Sequence, residues 1–153
     1  MKKFIALLFT FFTAVIMLSA ANSTTTVSKS DLSGDWVAQI NIPQNGLTII
    51  LSLNFLDTES CIVTGKWIGN NGMSEVDSGI AKYSLKNNQL VIDFINEDEL
   101  IRTDHVFEMH NVYDVKMVNG QLVIFNSRQF RNVDVYFGKG YANRGYCEII
   151  FPD

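Results

Sequence analysis

The stretch Leu32-Ser33-Gly34-Asp35-Trp36-Val37-Ala38-Gln39-Ile40-Asn41-Ile42, then Pro43-Gln44-Asn45-Gly46, then Leu47-Thr48-Ile49-Ile50-Leu51-Ser52-Leu53-Asn54-Phe55, decides the fold. Trp36, Ala38, Ile40 and Ile42 fall on one side of a period-two ribbon, and Leu47, Ile49, Leu51, Leu53 and Phe55 do the same after the turn. Successive side chains of a strand point to opposite faces, so this alternation predicts two half-buried antiparallel strands. A hairpin of this kind opens an all-β domain.

The rest of the chain repeats the pattern. Leu56 to Ser60 reads as a turn, and Cys61 to Ile68 as a third strand with Cys61, Val63, Gly65 and Trp67 on one face. Gly65 in mid-strand predicts a bulge or a sharp bend. Gly69-Asn70-Asn71-Gly72 is a turn signal, and alternation returns from Ile80 to Lys86. Asn87-Asn88 suits the positive φ values of a two-residue hairpin loop before Leu90, Ile92 and Phe94. Asn96-Glu97-Asp98-Glu99 has the makings of one capped helical turn. Beyond it Ile101, Thr103, His105, Phe107 and Met109 alternate as a strand, and Val112 to Val118 forms another. Asn119-Gly120 is the strongest hairpin signal and leads into Leu122-Val123-Ile124-Phe125. Arg131 to Phe137 and Tyr141 to Phe151 read as the last strands, joined around Gly138-Lys139-Gly140. Nine or ten short strands with turns between them and no long helix predict an antiparallel meander closed into a barrel of about eight to ten strands, with a β-sandwich as the alternative.

The N-terminus has a different character. Met1-Lys2-Lys3 is a positive head, Phe4 to Leu18 is apolar apart from Thr10 and Thr13, and Ser19-Ala20-Ala21 supplies small residues for a signal peptidase. This predicts a signal peptide over residues 1–21, a flexible polar lead-in over 22–31, and one barrel domain over 32–153. The mature chain is then expected to be secreted or periplasmic and not inserted in a membrane. Cleavage removes two lysines and no acids, so the formal charge goes from −4 to −6. Such an acidic chain lacks the clustered Lys and Arg that nucleic acid or an anionic membrane demands. Cys61 and Cys147 both fall in the exported part, and an even pair in an oxidising compartment predicts a disulfide.

Gly34-Asp35-Trp36, at the start of the first strand and just after the lead-in, resembles the Gly-x-Trp signature that opens lipocalin, avidin-like and other calycin barrels. The resemblance implies that Trp36 plugs the closed end of the barrel, with a late arginine stacked across it. Arg144 is the nearest candidate and Arg131 the second. The chain departs from lipocalins in showing no sizeable helix between Asn126 and Asp153, and from avidins in having only Trp36 and Trp67. Small secreted barrels of the bacterial metalloprotease-inhibitor kind open in a similar way.

Catalytic signatures are missing: there is no Gly-x-Ser-x-Gly and no His-Glu-x-x-His, and neither a metal nor a cofactor is expected. Asp104, Glu108 and His110 share one strand face, which reads as solvated. The expected function is that of a lipocalin-like protein holding a small apolar ligand in its barrel, with Trp67, Tyr83, Thr103, His105, Phe107 and Tyr113 as cavity candidates. The alternative is an exported module that engages another protein. In either case the exported chain should begin at Ala21, Asn22 or an adjacent residue, and an intact mass that retains Met1 would overturn this.

Overall fold

The computed structural model describes residues 24–96 and 107–151. It is an all-β structure with the strands β1 (Thr24–Thr25), β2 (Gly34–Ile42), β3 (Leu47–Phe55), β4 (Ser60–Ile68), β5 (Ser74–Lys86), β6 (Gln89–Phe94), β7 (His110–Val118), β8 (Gln121–Phe125), β9 (Val135–Lys139) and β10 (Gly145–Glu148). A four-residue helix, α1 (Lys29–Leu32), precedes β2. Strands β2 to β9 pair in sequence order, and β9 returns to β2 through Trp36↔Lys139 and Val37↔Gly138. The result is an eight-stranded antiparallel barrel. Among the described residues no helix is long and apolar enough to cross a membrane.

The turn chemistry read from the sequence is what closes the hairpins. Asn87 and Asn88 have φ of 53° and 60°, and Asn119 and Gly120 have 51° and 77°. Two successive positive values match the right-handed twist of the flanking strands. Gly65, by contrast, is no bulge, because pairing runs unbroken through Leu51↔Gly65↔Asp77. Its missing side chain makes room for Trp67: a Cβ at position 65 would overlap the indole ring that lies across it.

The chain end also differs from the expected hairpin. Residues 127–134 form turns and β9 begins only at Val135. After β9 a short 3-10 turn (Tyr141–Asn143) reverses the chain, and β10 runs parallel to β2 with Ala38↔Gly145 and Ile40↔Cys147. Gly138 and Gly145 allow this close approach, since a Cβ on either would strike the backbone carbonyl of Asn143 or Tyr136.

One end of the barrel is shut. Trp36 is 1% exposed, and its indole N–H donates to the Leu32 carbonyl at 2.8 Å. Gly34 has φ of 96°, a value that favours glycine, as the chain turns from α1 into β2. Residues 24–32, expected as a flexible lead-in up to 31, are tied down here. β1 pairs with Met117 and Val118, Val27 donates to the Asn88 side chain at 3.0 Å, and Ser28 and Asp31 form a capping box. Val27 and Leu32 are buried, which is the apolar gain that anchors an otherwise polar segment. The Ser28 hydroxyl and then its N–H donate to the Asp31 carboxylate, and the Glu59 and Ser60 N–H groups donate to that of Asp57, which holds both acids below the usual carboxylate range.

The cation over the Trp36 ring is Lys139, 5.4 Å from the centroid, and not Arg144. Lys139 is the direct partner of Trp36 across the β2–β9 pair. Arg144 has outward parity on the β10 side and is exposed, donating to the Gln39 side chain at 2.9 Å. Arg131, the second candidate, sits against Phe151 instead.

Cys61 and Cys147 are free and buried, so the predicted disulfide is not formed. The registers explain why. Cys61 lies level with Phe55 and hence with Gly34, whereas Cys147 lies level with Ile40. Six residues of strand separate those levels, about 20 Å at ~3.3 Å per residue, far beyond the roughly 7 Å that a disulfide can span between Cα atoms. Burial pushes the Cys61 thiol up to about 12 and the Cys147 thiol up to about 11.

Two expectations follow from this architecture. Trp36→Ala should cost about 3–5 kcal/mol in a denaturant titration, as emptying an aromatic core site usually does; a loss below ~1 kcal/mol would mean that Trp36 does not organise the fold. Both thiols should titrate in protein unfolded without reductant. Because their folded values are raised, the stability they contribute is complete below the unfolded value of about 8.5 and is lost as pH rises through about 11 and about 12. The Cys61→Ala, Cys147→Ala double variant should therefore lose stability less steeply above pH ~9 than the parent chain.

Candidate functional site

The end opposite Trp36 carries the turn 43–46, the turn 69–73 and the β8–β9 connection 126–134, and β10 points its C-terminal continuation toward it. A recess of about 240 Å³ opens there, lined by Ile40 and Ile42 of β2, Leu47 and Ile49 of β3, Phe130, Ile149 and Phe151, with Asn45, Gln129 and Arg131 as its polar groups. Period two accounts for most of this wall. Ile40, Ile42 and Ile49 have the inward parity of Trp36, and Cys147, Ile149 and Phe151 continue one face of β10.

Phe130 reaches the core because its loop is pinned. Asn111 is 1% exposed, and its amide donates to the carbonyls of Ile92 (3.2 Å) and Glu108 (2.6 Å). Its oxygen accepts from the Glu108 N–H at 2.9 Å, from Tyr113 Oη at 3.3 Å and from Gln129 Nε2 at 3.1 Å. A buried amide with these partners ties β7 to β6 and to the β8–β9 connection. Phe130 then stacks on Tyr113 with ring centroids 6.1 Å apart. Arg131 and Asn132 follow with φ of 55° and 58°.

The cavity candidates divide. Phe107 and Tyr113 belong to a packed aromatic row, Phe94–Phe107–Tyr113–Phe130, with successive centroids 5.9, 6.2 and 6.1 Å apart. They form the floor behind Phe130 rather than the wall of the recess. Burial, and then the Glu108 charge, pushes the Tyr113 phenol upward. Tyr83 lies on the closed side: it meets Phe55 edge-on at 4.8 Å, donates to the Asp57 carbonyl at 2.6 Å and has Lys29 over its ring at 5.5 Å. Its phenol is raised by burial and then by the charges of Asp57 and Cys61. Trp67 is the direct partner of Ile49, so it stands beside the recess without lining it. Its indole N–H is buried without a hydrogen-bond partner among the described residues, and the ring borders a shallower hollow with Gly69, Asn71, Met73, Ser74 and Glu75. Thr103 and His105, and the helical turn expected after Asn96, fall outside the described residues. Glu108 and Asn111 bond each other, and His110 pairs with Asp93 at the surface.

Sequence reading took Arg131 as the start of a strand and as the second candidate over Trp36, and it missed the loop that brings Gln129, Phe130 and Arg131 to the recess, because a loop has no period. Ile149 and Phe151 fell in a stretch read as the last strand, and the wall they join depends on the parallel path of β10.

Eight strands in up-and-down order, opened by Gly34 and plugged at one end by Trp36, make a closed antiparallel barrel. No protein-family model matches the chain, and neither does any curated protein sequence. Among solved structures, the chain is similar to that of a lipocalin-like protein from Bacteroides uniformis, at 16% identity over 72% of this chain and 99% of the other, with a TM-score of 0.47.

Proposed function

We propose that the chain is an exported binding protein that holds a small apolar molecule, or the apolar end of a larger one, in the recess at the open end of its barrel. The observation that carries this reading is the recess itself, in which seven apolar side chains from β2, β3, the β8–β9 connection and the chain end meet three polar ones. Apolar walls with a few convergent polar groups are the usual make-up of a small-molecule site. Its 240 Å³ is small beside the ~300–1,000 Å³ of typical pockets, so the occupant is small or only partly enclosed. The aromatic row behind Phe130 fills the interior beyond, in keeping with an eight-stranded barrel just wide enough for its own side chains.

A protein-binding role is the second reading. Tyr141, Tyr146 and Ile150 are 57%, 55% and 64% exposed along the β10 side, and tyrosine is favoured at interfaces.

Binding is tested with a panel of fatty acids, retinoids and hydrophobic dyes. At least one member should bind below about 100 μM and change tryptophan emission, since Trp67 neighbours Ile49. Ile149→Phe, which extends a side chain into the recess, should weaken that binding about tenfold or more, ~1.4 kcal/mol. If nothing on the panel binds, the ligand reading fails and the interaction reading takes its place.

A further inference from the structure

We infer that Asn119, at the tip of the β7–β8 hairpin, is a site of spontaneous modification: its side-chain amide is lost as ammonia to form a succinimide with Gly120, which water opens to aspartate or isoaspartate. The hairpin tip lies at the barrel end that Trp36 shuts, away from the recess.

The chemistry needs only the chain and water. The Gly120 backbone nitrogen attacks Cγ of Asn119, and the new N–C bond closes a five-membered ring. The Cγ–Nδ2 bond breaks, and the proton given up by the Gly120 nitrogen passes through solvent to the departing amide, which leaves as ammonia. Water then adds across one of the two ring N–C bonds. Cleavage at Cγ restores the main chain and leaves aspartate, whereas cleavage at the backbone carbonyl leaves isoaspartate, with the main chain running through Cγ.

Both reacting groups must be unbound and reachable. A glycine after the asparagine leaves the attacking nitrogen unshielded by a side chain, and the sequence has three such pairs, Asn45-Gly46, Asn71-Gly72 and Asn119-Gly120. The fold treats them differently. The Gly46 N–H donates to the Pro43 carbonyl at 3.0 Å, and the Asn70 side chain lies where a Cβ on Gly46 would stand. The Gly72 N–H donates to the Gly69 carbonyl at 2.9 Å, and the Asn71 side-chain oxygen accepts from the Met73 N–H at 3.0 Å. At the third pair neither the Gly120 N–H nor the Asn119 amide has a hydrogen-bond partner among the described residues. Both residues are exposed, and nothing lies within 4 Å of where a Cβ on Gly120 would stand. A hydrogen bond that holds the nitrogen or the amide must break before the ring closes, which slows the first two pairs and leaves the third free to react.

The position gives the change a structural consequence. Asn119 and Gly120, with φ of 51° and 77°, form the two-residue turn whose length sets the register Val118↔Gln121 and Met117↔Leu122. Isoaspartate inserts a carbon into the main chain of that turn, and either product adds a negative charge. β1 pairs with the same two residues of β7, Val118 and Met117, so a displaced hairpin loosens Thr24 and Thr25 as well.

The test incubates the full-length chain at mildly alkaline pH, where more of the Gly120 nitrogen is deprotonated, and follows each Asn-Gly pair by peptide mapping with an isoaspartate readout. Asn119 should react about tenfold faster than Asn45 and Asn71, a barrier difference of ~1.4 kcal/mol. In denaturant the pairs should react at similar rates, because the bonds that protect the other two are gone. Asn119→Gln, which would need a larger ring, should stay unmodified at that position, and the aged parent chain should be clipped by protease between β1 and α1 faster than this variant. Asn45 or Asn71 reacting first, equal rates in the folded chain, or a lead for Asn119 that persists in denaturant would overturn the assignment. Clipping no faster in the aged parent than in Asn119→Gln would overturn the coupling to β1.

Discussion

A strand in a closed barrel has two edges of N–H and C=O groups to satisfy, and β2 does so with three partners. Strand β3 matches it residue for residue from Gly34 to Ile42. The other edge is divided: β9 pairs with Trp36 and Val37, and β10 takes over from Ala38 to Asn41, with the Ile149 N–H donating to the Asn41 carbonyl at 2.9 Å. Without β10 half of that edge would stand open, and an open edge is a template for aggregation. The close packing of Gly138 and Gly145 against neighbouring carbonyls is what lets two strands share one seam.

This division gives the two barrel ends their different characters. At one end α1, Leu32 and Trp36 fill the lumen, Lys139 lies over the indole, and Lys29 donates to the Thr58 carbonyl at 2.6 Å. At the other, β10 delivers Ile149 and Phe151 beside Ile40 and Ile42, and Gln44 donates to the Phe151 carbonyl at 3.1 Å. The same parallel strand that completes the sheet therefore builds a wall of the recess.

Asn111 has a comparable double role on the far wall. A buried amide is tolerated only when satisfied, and the groups that satisfy Asn111 are those whose positions shape the recess: Gln129 from the loop, Tyr113 beneath Phe130 and the chain entering β7. Apolar contact alone would leave Phe130 free to slide over Tyr113. The hydrogen bonds fix the loop, and the loop fixes Arg131 at the rim.

The sequence by itself determined most of the strands, their inward faces and most of their turns up to Phe94 and from Val112 to Phe125, because period two and paired positive-φ residues such as Asn87-Asn88 and Asn119-Gly120 are local properties of the chain. Gly34 and Trp36 were legible as a motif that resembles the opening of calycin barrels. Only the tertiary structure decided which distant groups meet. Alternation placed Cys61 on one face with Val63 and Trp67 but said nothing of its level relative to Cys147, and register sets the two about 20 Å apart. A late cation over Trp36 was foreseeable, yet whether Lys139 or Arg144 fills that place depends on which strand closes the seam. The recess is likewise beyond local pattern. It joins β2, β3, an aperiodic loop and the chain end, and only barrel closure, a sum of many long-range pairings, brings those four together.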